Sequence, residues 1–474
     1  MKMDLNKPPI LFVCHPLTGH LTPTIKIAKH LVTSHHKVYF LGPTAHQKRI
    51  TSTGATFIPL RGKADYDDQV YYSLDNPVPP VPDYYSRNWK ERAMVDVLKQ
   101  WYDPIPEQWE CFKLALGRVQ EESQGKKVVV VAEAMFHGIL PMFYGAQMGV
   151  GIKRPDAVVG LSVTVPLIRS KHLPPFGSSM EFDRDLTRAG ETQRKWEIWK
   201  EKTVAYKDLL NMKLIEAGAS RGFEGVLFDG SQYEAFDAFL ELGVPDFFYP
   251  RTDWPKNFRF IGTIPGEGPD RPALHSLWAY DLNLNALAGK KIVVVAQGTV
   301  ETDPNQLVIP TCLAMADRPD VFVLAINKRV LTPEFQLSCP GLPTIRRLVD
   351  HASYDKVLPF ADVWVHNGGY GAVQHGIANG VPMVIAGEGQ DKTENGKRLA
   401  YSGAGVDLKT GSPTAEQLGT AIETVLDDPR YQERVEVLRK QSQELNCFKA
   451  VEQVVAELTS VDKETSESSH EEAL

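Results

Sequence analysis

The sequence predicts an α/β protein in which one strand–helix–strand order is written twice. Three observations carry this. Short apolar runs without polar alternation recur along the chain, as they do in parallel strands covered on both faces. The runs at 10–14 and 290–296 each lead through a loop into a stretch of helical character and on to a second strand. A Gly/Pro-rich stretch at 262–272 separates two such series.

The first series opens with Ile-Leu-Phe-Val-Cys at 10–14 and a loop at 15–23. Helical spacing of Ile25, Ile27, Ala28, Leu31 and Val32 follows, then a strand at 37–41, which completes a βαβ unit. Buried strands fall again at 128–132 and 157–163. Between these elements, 64–112 is rich in Tyr, Trp and Pro, and a second irregular insert runs over 166–200. Long inserts after α/β strands are common sites of binding surfaces. The second series begins at 290–296 and continues with a helix near 305–316 and strands at 321–325 and 362–365. A glycine-rich turn, a helix and a strand at 382–386 come next, then a charged amphipathic helix near 428–459. The domains expected are 1–265 and 290–460, joined by a linker at 266–289 and followed by a disordered acidic tail at 461–474.

The 474 residues include 52 basic and 59 acidic side chains, a formal charge of −7. The last 14 residues, with five acids and one lysine, hold −4 of it. The remainder is nearly balanced, which leaves no footprint for nucleic acid or an anionic membrane. No apolar run approaches the ~18–20 residues of a membrane span. Five scattered cysteines without a CxxC pair fit a reducing compartment. The first strand is too short for a secretory segment, so a cytoplasmic location is expected.

The densest chemistry lies at 365–375, Val-His-Asn-Gly-Gly-Tyr-Gly-Ala-Val-Gln-His. Gly368, Gly369 and Gly371 mark a strand-to-helix turn where backbone N–H groups can approach an anion, with diphosphate the natural guest. The same glycines also suit a tight turn that binds nothing. A dinucleotide fingerprint is absent, because neither 15–23 nor 368–371 has GxGxxG with an acid about 20 residues on. His20, in the loop after the first strand, carries a side chain able to take a proton from a hydroxyl near neutral pH. Glu133 directly follows the strand at 128–132, and neighbouring parallel strands present their ends on one edge. It is therefore placed to orient that imidazole; a purely structural loop histidine is the alternative. Trp89 in the aromatic insert, with Phe136, Phe143 and Tyr144 after Glu133, suggests an apolar wall for a small molecule. Ordinary packing on the sheet explains the same aromatics equally well.

Together these pieces resemble the family 1 glycosyltransferases over nearly the whole chain: Gly19 to Pro23, the linker, Gln297 to Thr299, and the segment 349–395. The resemblance implies the GT-B architecture, two Rossmann-like doubly wound parallel-sheet domains facing across a cleft. It implies His20 as general base and Glu133 as its acid, where relatives usually carry Asp. It also implies a nucleotide-sugar site built from Gly298, Thr299, His351, Asn367, Gly368, Gly369, Tyr370, Gly371, His375, Asp391 and Lys392.

Several positions depart from the plant form of the motif. Aligned on Gly380, Val381 and Pro382, the motif histidine falls on Asn367, the tryptophan on Tyr370 and the serine on Ala372. The ribose-binding glutamate falls on His375, with Gln374 beside it, and the Asp-Gln pair on Asp391 and Lys392. Neutral partners bond less strongly than charged ones. The pattern is similar to that of a microbial subgroup of the family. The reaction implied is transfer of a sugar, glucose foremost, from a UDP-sugar to a hydroxyl of a small apolar, aromatic acceptor. It would be a single inverting displacement without metal or bound cofactor. A binding protein of the same fold without transferase activity, and a UDP-sugar epimerase, are the competing readings.

Overall fold

The structure, a computed structural model, describes residues 7–73, 79–178, 182–266, 277–298, 303–327, 346–349 and 352–460. The first sheet contains β1 (Ile10–Val13), β2 (Val38–Gly42), β3 (Thr56–Pro59), β4 (Val129–Glu133), β5 (Ala157–Ser162), β6 (Ala238–Glu241) and β7 (Phe258–Phe260). Their spatial order is β3-β2-β1-β4-β5-β6-β7. The second contains β8 (Lys291–Ala296), β9 (Val321–Ile326), β10 (Arg346–Val349), β11 (Val363–His366), β12 (Met383–Ile385) and β13 (Gly405–Asp407), in the order β10-β9-β8-β11-β12-β13. Every strand pair in both is parallel. Strand order reverses between β1 and β4, and again between β8 and β11. In doubly wound sheets ligands bind beyond the strand ends at this point.

The unalternating runs are explained by layers on both faces. Ile10 and Phe12 enter one core of the first domain, and Leu11 and Val13 the other. In the second domain Ile292 and Val294 pack on one side of the sheet, Val293 and Val295 on the opposite side. The short strands β3, β6, β7, β10 and β13 were not expected, because three or four residues show no usable period.

Three further expectations are corrected. A 28-residue helix, Ala189–Glu216, begins inside the segment expected to be irregular. Its buried residues, including Trp196, Leu210 and Leu214, are too sparse to write a stripe. Within the expected linker, Leu277–Leu287 is a helix whose Leu282 joins the second domain's core. The single C-terminal helix is two, Pro429–Leu445 and Cys447–Ser460, broken at Asn446 in the left-handed region (φ 50). The last of these returns to the first domain. Its Cys447, Val451, Val454 and Val455 pack with Ile10, Ile27 and Leu31. Residues 447–460 therefore belong to the domain that opens the chain.

The domains meet over shared apolar packing, with Met135, Leu167 and Phe248 in one cluster with Tyr370, Trp364 and Val373. A polar pair is buried in that boundary. The Tyr370 hydroxyl lies 2.7 Å from Glu241 Oε1 at the end of β6 and also bonds the Leu242 carbonyl. One phenol hydrogen cannot serve both oxygens, and a protonated Glu241 resolves the count. Burial pushes this carboxyl well above its usual range, and the Tyr370 and Ser162 hydrogen bonds and the Arg398 charge offset only part of that. A carboxyl raised in the folded state stabilises below its unfolded value and loses that stabilisation as pH rises. Glu241→Gln, which keeps shape and a donor, should therefore be more stable than the parent near pH 8, with the gain vanishing toward about pH 4. Urea unfolding midpoints at the two pH values check this.

Candidate active site

His20 is the third residue of the helix Thr18–Thr33, which follows β1. Glu133 ends β4. Because β1 and β4 pair with Val13 opposite Ala132, the two chains leave the sheet side by side. Glu133 Oε1 lies 2.9 Å from His20 Nδ1 and accepts from the Met135 N–H at 3.0 Å. Burial pushes the His20 imidazole down. The Glu133 charge and hydrogen bond, with Asp391 and Asp68 nearby, outweigh this and raise it above its ordinary value. With Nδ1 on the carboxylate, Nε2 is the nitrogen available to the cavity that His20 lines.

In the second sheet, Ala296 of β8 pairs with His366 of β11, which sets Gly298 beside Asn367. A methyl group on Gly298 would stand 3.4 Å from Asn367 Nδ2. Gly368 has φ +84, and a methyl group there would meet Ile385 at 2.9 Å, so the turn requires glycine. Gly369 precedes the helix Tyr370–Asn379, and a methyl group on Gly369 or Gly371 would meet nothing within 4 Å. The helix start is thus bare toward the cleft, with its first N–H groups lacking carbonyl partners within the helix. Asn395 Nδ2 donates to the Gly368 carbonyl at 2.9 Å and to Asp391 Oδ2 at 3.0 Å, tying the two loops together. From the first domain, the Thr164 hydroxyl reaches the same Asp391 oxygen at 3.4 Å.

His375 is fixed across the boundary. Its Nδ1 lies 2.7 Å from Asp355 Oδ1, while Asp355 Oδ2 accepts from Lys26 Nζ at 2.6 Å. Burial would raise the Asp355 carboxyl, but His375 and Lys26 hold it well below the usual carboxylate range. Burial pushes His137 down to about 4, with Glu133 a partial offset, and His366 down to about 3.

Two cavities meet at the glycine turn. One, of about 290 Å³, is lined by His20 and by Met94, Trp101, Met135, Phe176 and Phe228. The other, of about 240 Å³, is lined by Thr22, Lys26, Tyr354, Ala372, Gln374 and His375. Gly298, Asn367, Gly369 and Gly371 line both. The cleft therefore brings together His20, Gly298, Asn367, Gly369, Tyr370, Gly371, His375, Asp391 and Lys392, with Glu133 behind His20 and Gly368 within the turn. Tyr370 lines it with its ring, since its hydroxyl is turned to Glu241. Thr299 and His351 lie outside the described residues.

The expected acceptor wall is corrected. Phe136 is buried in the first domain's core, Phe143 packs edge-on to Phe236 at 5.0 Å, and Tyr144 meets Phe223 at 6.3 Å. None of them lines either cavity. After β4 it is Met135 that faces the cleft, while its neighbour Phe136 turns inward. Trp89 packs beside Gly389. Of the aromatic insert Tyr72 and Trp101 reach the cavity, and the hydroxyls of Tyr71, Tyr72 and Tyr84 converge on the Asp96 carboxylate. Sequence reasoning missed Asp68, Lys26, Thr164 and Asp355, which read as ordinary polar residues. Among the described residues no three His, Cys, Asp or Glu side chains gather as a metal site, and no helix is long and apolar enough to cross a membrane.

Comparison with known proteins bears on this arrangement. Residues 330–458 match the family "Erythromycin biosynthesis protein CIII-like, C-terminal domain". UDP-glucosyltransferase A1 of Starmerella bombicola is 30% identical over 471 residues, spanning 98% of this chain and 95% of its own. UDP-glucosyltransferase B1 of the same organism is 31% identical over 467 residues, spanning 97% and 100%. The chain belongs to the family 1 UDP-glycosyltransferases. Its fold is that of solved relatives: the glycosyltransferase of kitacinnamycin matches with a TM-score of 0.67 at 18% identity, over 96% of this chain and 99% of that one. CalG4, the calicheamicin glycosyltransferase, matches with a TM-score of 0.61 at 16% identity, over 97% and 100%. In this glycosyltransferase both switch points open on one cleft, with His20 and Glu133 at the first and the glycine turn at the second.

Proposed function

We propose that this glycosyltransferase moves glucose from UDP-glucose to a hydroxyl of a small apolar, aromatic acceptor with inversion at the anomeric carbon. The observation that carries the reading is the His20–Glu133 pair opening on an apolar cavity that meets the glycine turn. The acceptor lies among Met94, Trp101, Met135, Phe176 and Phe228, and its hydroxyl faces His20 Nε2. Its oxygen attacks the anomeric carbon as His20 takes the proton and the bond to the diphosphate breaks, its electron pair leaving on UDP. Glu133 holds the imidazole in the productive tautomer and stabilises the imidazolium.

Charge on the leaving diphosphate is met by backbone N–H groups at Gly369 to Gly371, by Gly298 and by Asn367; the Gly368 N–H donates inward to His366 Nδ1 at 3.1 Å, so Gly368 serves the site by shaping the turn. Thr299 contributes to the same anion site and His351 to the uracil. His375 meets the ribose, and Asp391 and Lys392 the sugar hydroxyls. The names of the two Starmerella bombicola relatives support the choice of UDP-glucose. No metal or bound cofactor takes part in this scheme.

The test is incubation with UDP-glucose and a panel of phenols, sterols and fatty alcohols in the presence of chelator. The expected product is one hexosyl unit heavier than a phenolic acceptor, and its anomeric configuration is opposite to the donor's. A product of retained configuration, or epimerised donor without transfer, would overturn the reading.

A further inference from the structure

The helix that carries His20 starts without a cap of its own, since Leu17 precedes it and offers no side-chain acceptor. The cap comes from 50 residues downstream. Asp68 Oδ2 accepts from the Thr18 N–H at 2.8 Å, and Oδ1 from the Thr18 hydroxyl at 2.8 Å. Asp68 is only 2% exposed, belongs to the aromatic insert, and lines the same cavity as His20.

A row of donors stands behind it. Arg49 Nη1 lies 3.3 Å from His46 Nδ1. A guanidinium only donates, so Nδ1 is the bare nitrogen of that ring and Nε2 carries its hydrogen. That Nε2 lies 3.4 Å from the Thr18 hydroxyl and 4.0 Å from Asp68 Oδ1. Burial alone would raise the Asp68 carboxyl, but His46, Thr18 and Gln69 hold it below its ordinary value. The carboxylate is therefore charged at neutral pH.

We propose that Asp68 is a second carboxylate for the general base, a positioning residue that fixes the first turn of the His20 helix and stabilises the imidazolium from the acceptor side. The proposal rests on the reading of His20 as base. In the step concerned the acceptor O–H proton passes to His20 Nε2, the new C–O bond forms, and the bond to UDP breaks with its electrons on the diphosphate. Asp68 takes no proton. The groups that face His20 are Glu133 from β4, Asp391 from the second domain, Asp68 from the insert, and His15. His15 is neutral, because burial, with His20 and His137 adding to it, pushes its imidazole well down. Glu133 belongs to the hydrogen-bonded pair and Asp391 to the sugar site. Asp68 bonds neither of them, and an asparagine in its place removes the charge while keeping an oxygen for the Thr18 N–H that starts the His20 helix.

The experiment is the pH profile of kcat/KM, with melting temperature as a check of folding. Activity rises with pH as His20 loses its proton. Asp68→Asn keeps an acceptor for the Thr18 N–H and removes the charge, which makes the imidazolium harder to form. The acid limb should move to lower pH by on the order of half a unit, and kcat at the plateau should fall by up to about threefold, the same free energy read as a rate. Asp68→Ser serves the same purpose should the asparagine variant fail to fold. Thr18→Val keeps the charge and loses one hydrogen bond, and should leave the limb in place; Asp68→Glu should restore it. An unmoved limb in the neutral variants, or an equal shift in Thr18→Val, overturns the proposal and leaves Asp68 a helix cap only. His20→Ala run alongside separates the two readings: an acid limb that survives in it sinks the base assignment itself.

Discussion

Replacing His20 by alanine should abolish transfer to the acceptor, with a loss on the order of 10²–10⁴ in kcat, while UDP binding stays unchanged. The expectation follows from position. His20 lines the cavity of Met94 and Trp101 and not the one beside His375, so under the proposed mechanism its removal takes away the proton acceptor and leaves the nucleotide contacts intact. Glu133→Gln should act in the same direction. It spares the shape of the pair but leaves His20 Nδ1 against a neutral amide, which neither holds the tautomer as well nor stabilises a positive ring. Single-turnover measurements with saturating UDP-glucose, beside calorimetric titration of UDP, check both halves. A His20→Ala protein that transfers at the parent rate would remove the imidazole from the mechanism. One that no longer binds UDP would move it into the donor site.

The largest expected effect on stability comes from the far end of the chain. Deleting residues 447–460 should unfold the first domain. Cys447, Val451, Val454 and Val455 are all buried against that domain's sheet and first helix. At ~1.5–3 kcal/mol for each fully buried apolar side chain, the loss of these four is about 6–12 kcal/mol, as large as the whole stability of an ordinary domain. Soluble yield and thermal unfolding check this. Val451→Asp, which sets an unpaired carboxylate in the same interface, should lower the melting temperature in the full-length protein. A deletion that melted like the parent would mean that this packing contributes little.

Much of the fold was legible because the physics that writes it is local. Ile10–Val13 reads as a strand covered on both faces since all four residues are fully buried, and the glycines at 368–371 mark a turn that one of them must make at positive φ. The His20–Glu133 pair was readable because parallel neighbours end on one edge. What failed was non-local or turned on a single residue. Lys26 and Asp355 meet across 329 positions, and nothing near either announces the other. Whether Met135 or Phe136 faces the cleft depends on the exit angle of β4, which no pattern encodes. The apolar stripe of the last helix shows that one face is buried without showing against which sheet.

That last helix has a consequence for recombining relatives. Since the strand at Ile10–Val13 and the helix at Cys447–Ser460 share one core, the second domain lies between two stretches of the first and joins it at two seams. A chimera made with one crossover near the 262–272 stretch inherits a terminal helix from the wrong parent, and that helix must fill a groove shaped by another sequence. Exchange of sugar specificity by swapping halves should therefore succeed only when a second crossover is placed near Asn446, so that each groove keeps its own helix.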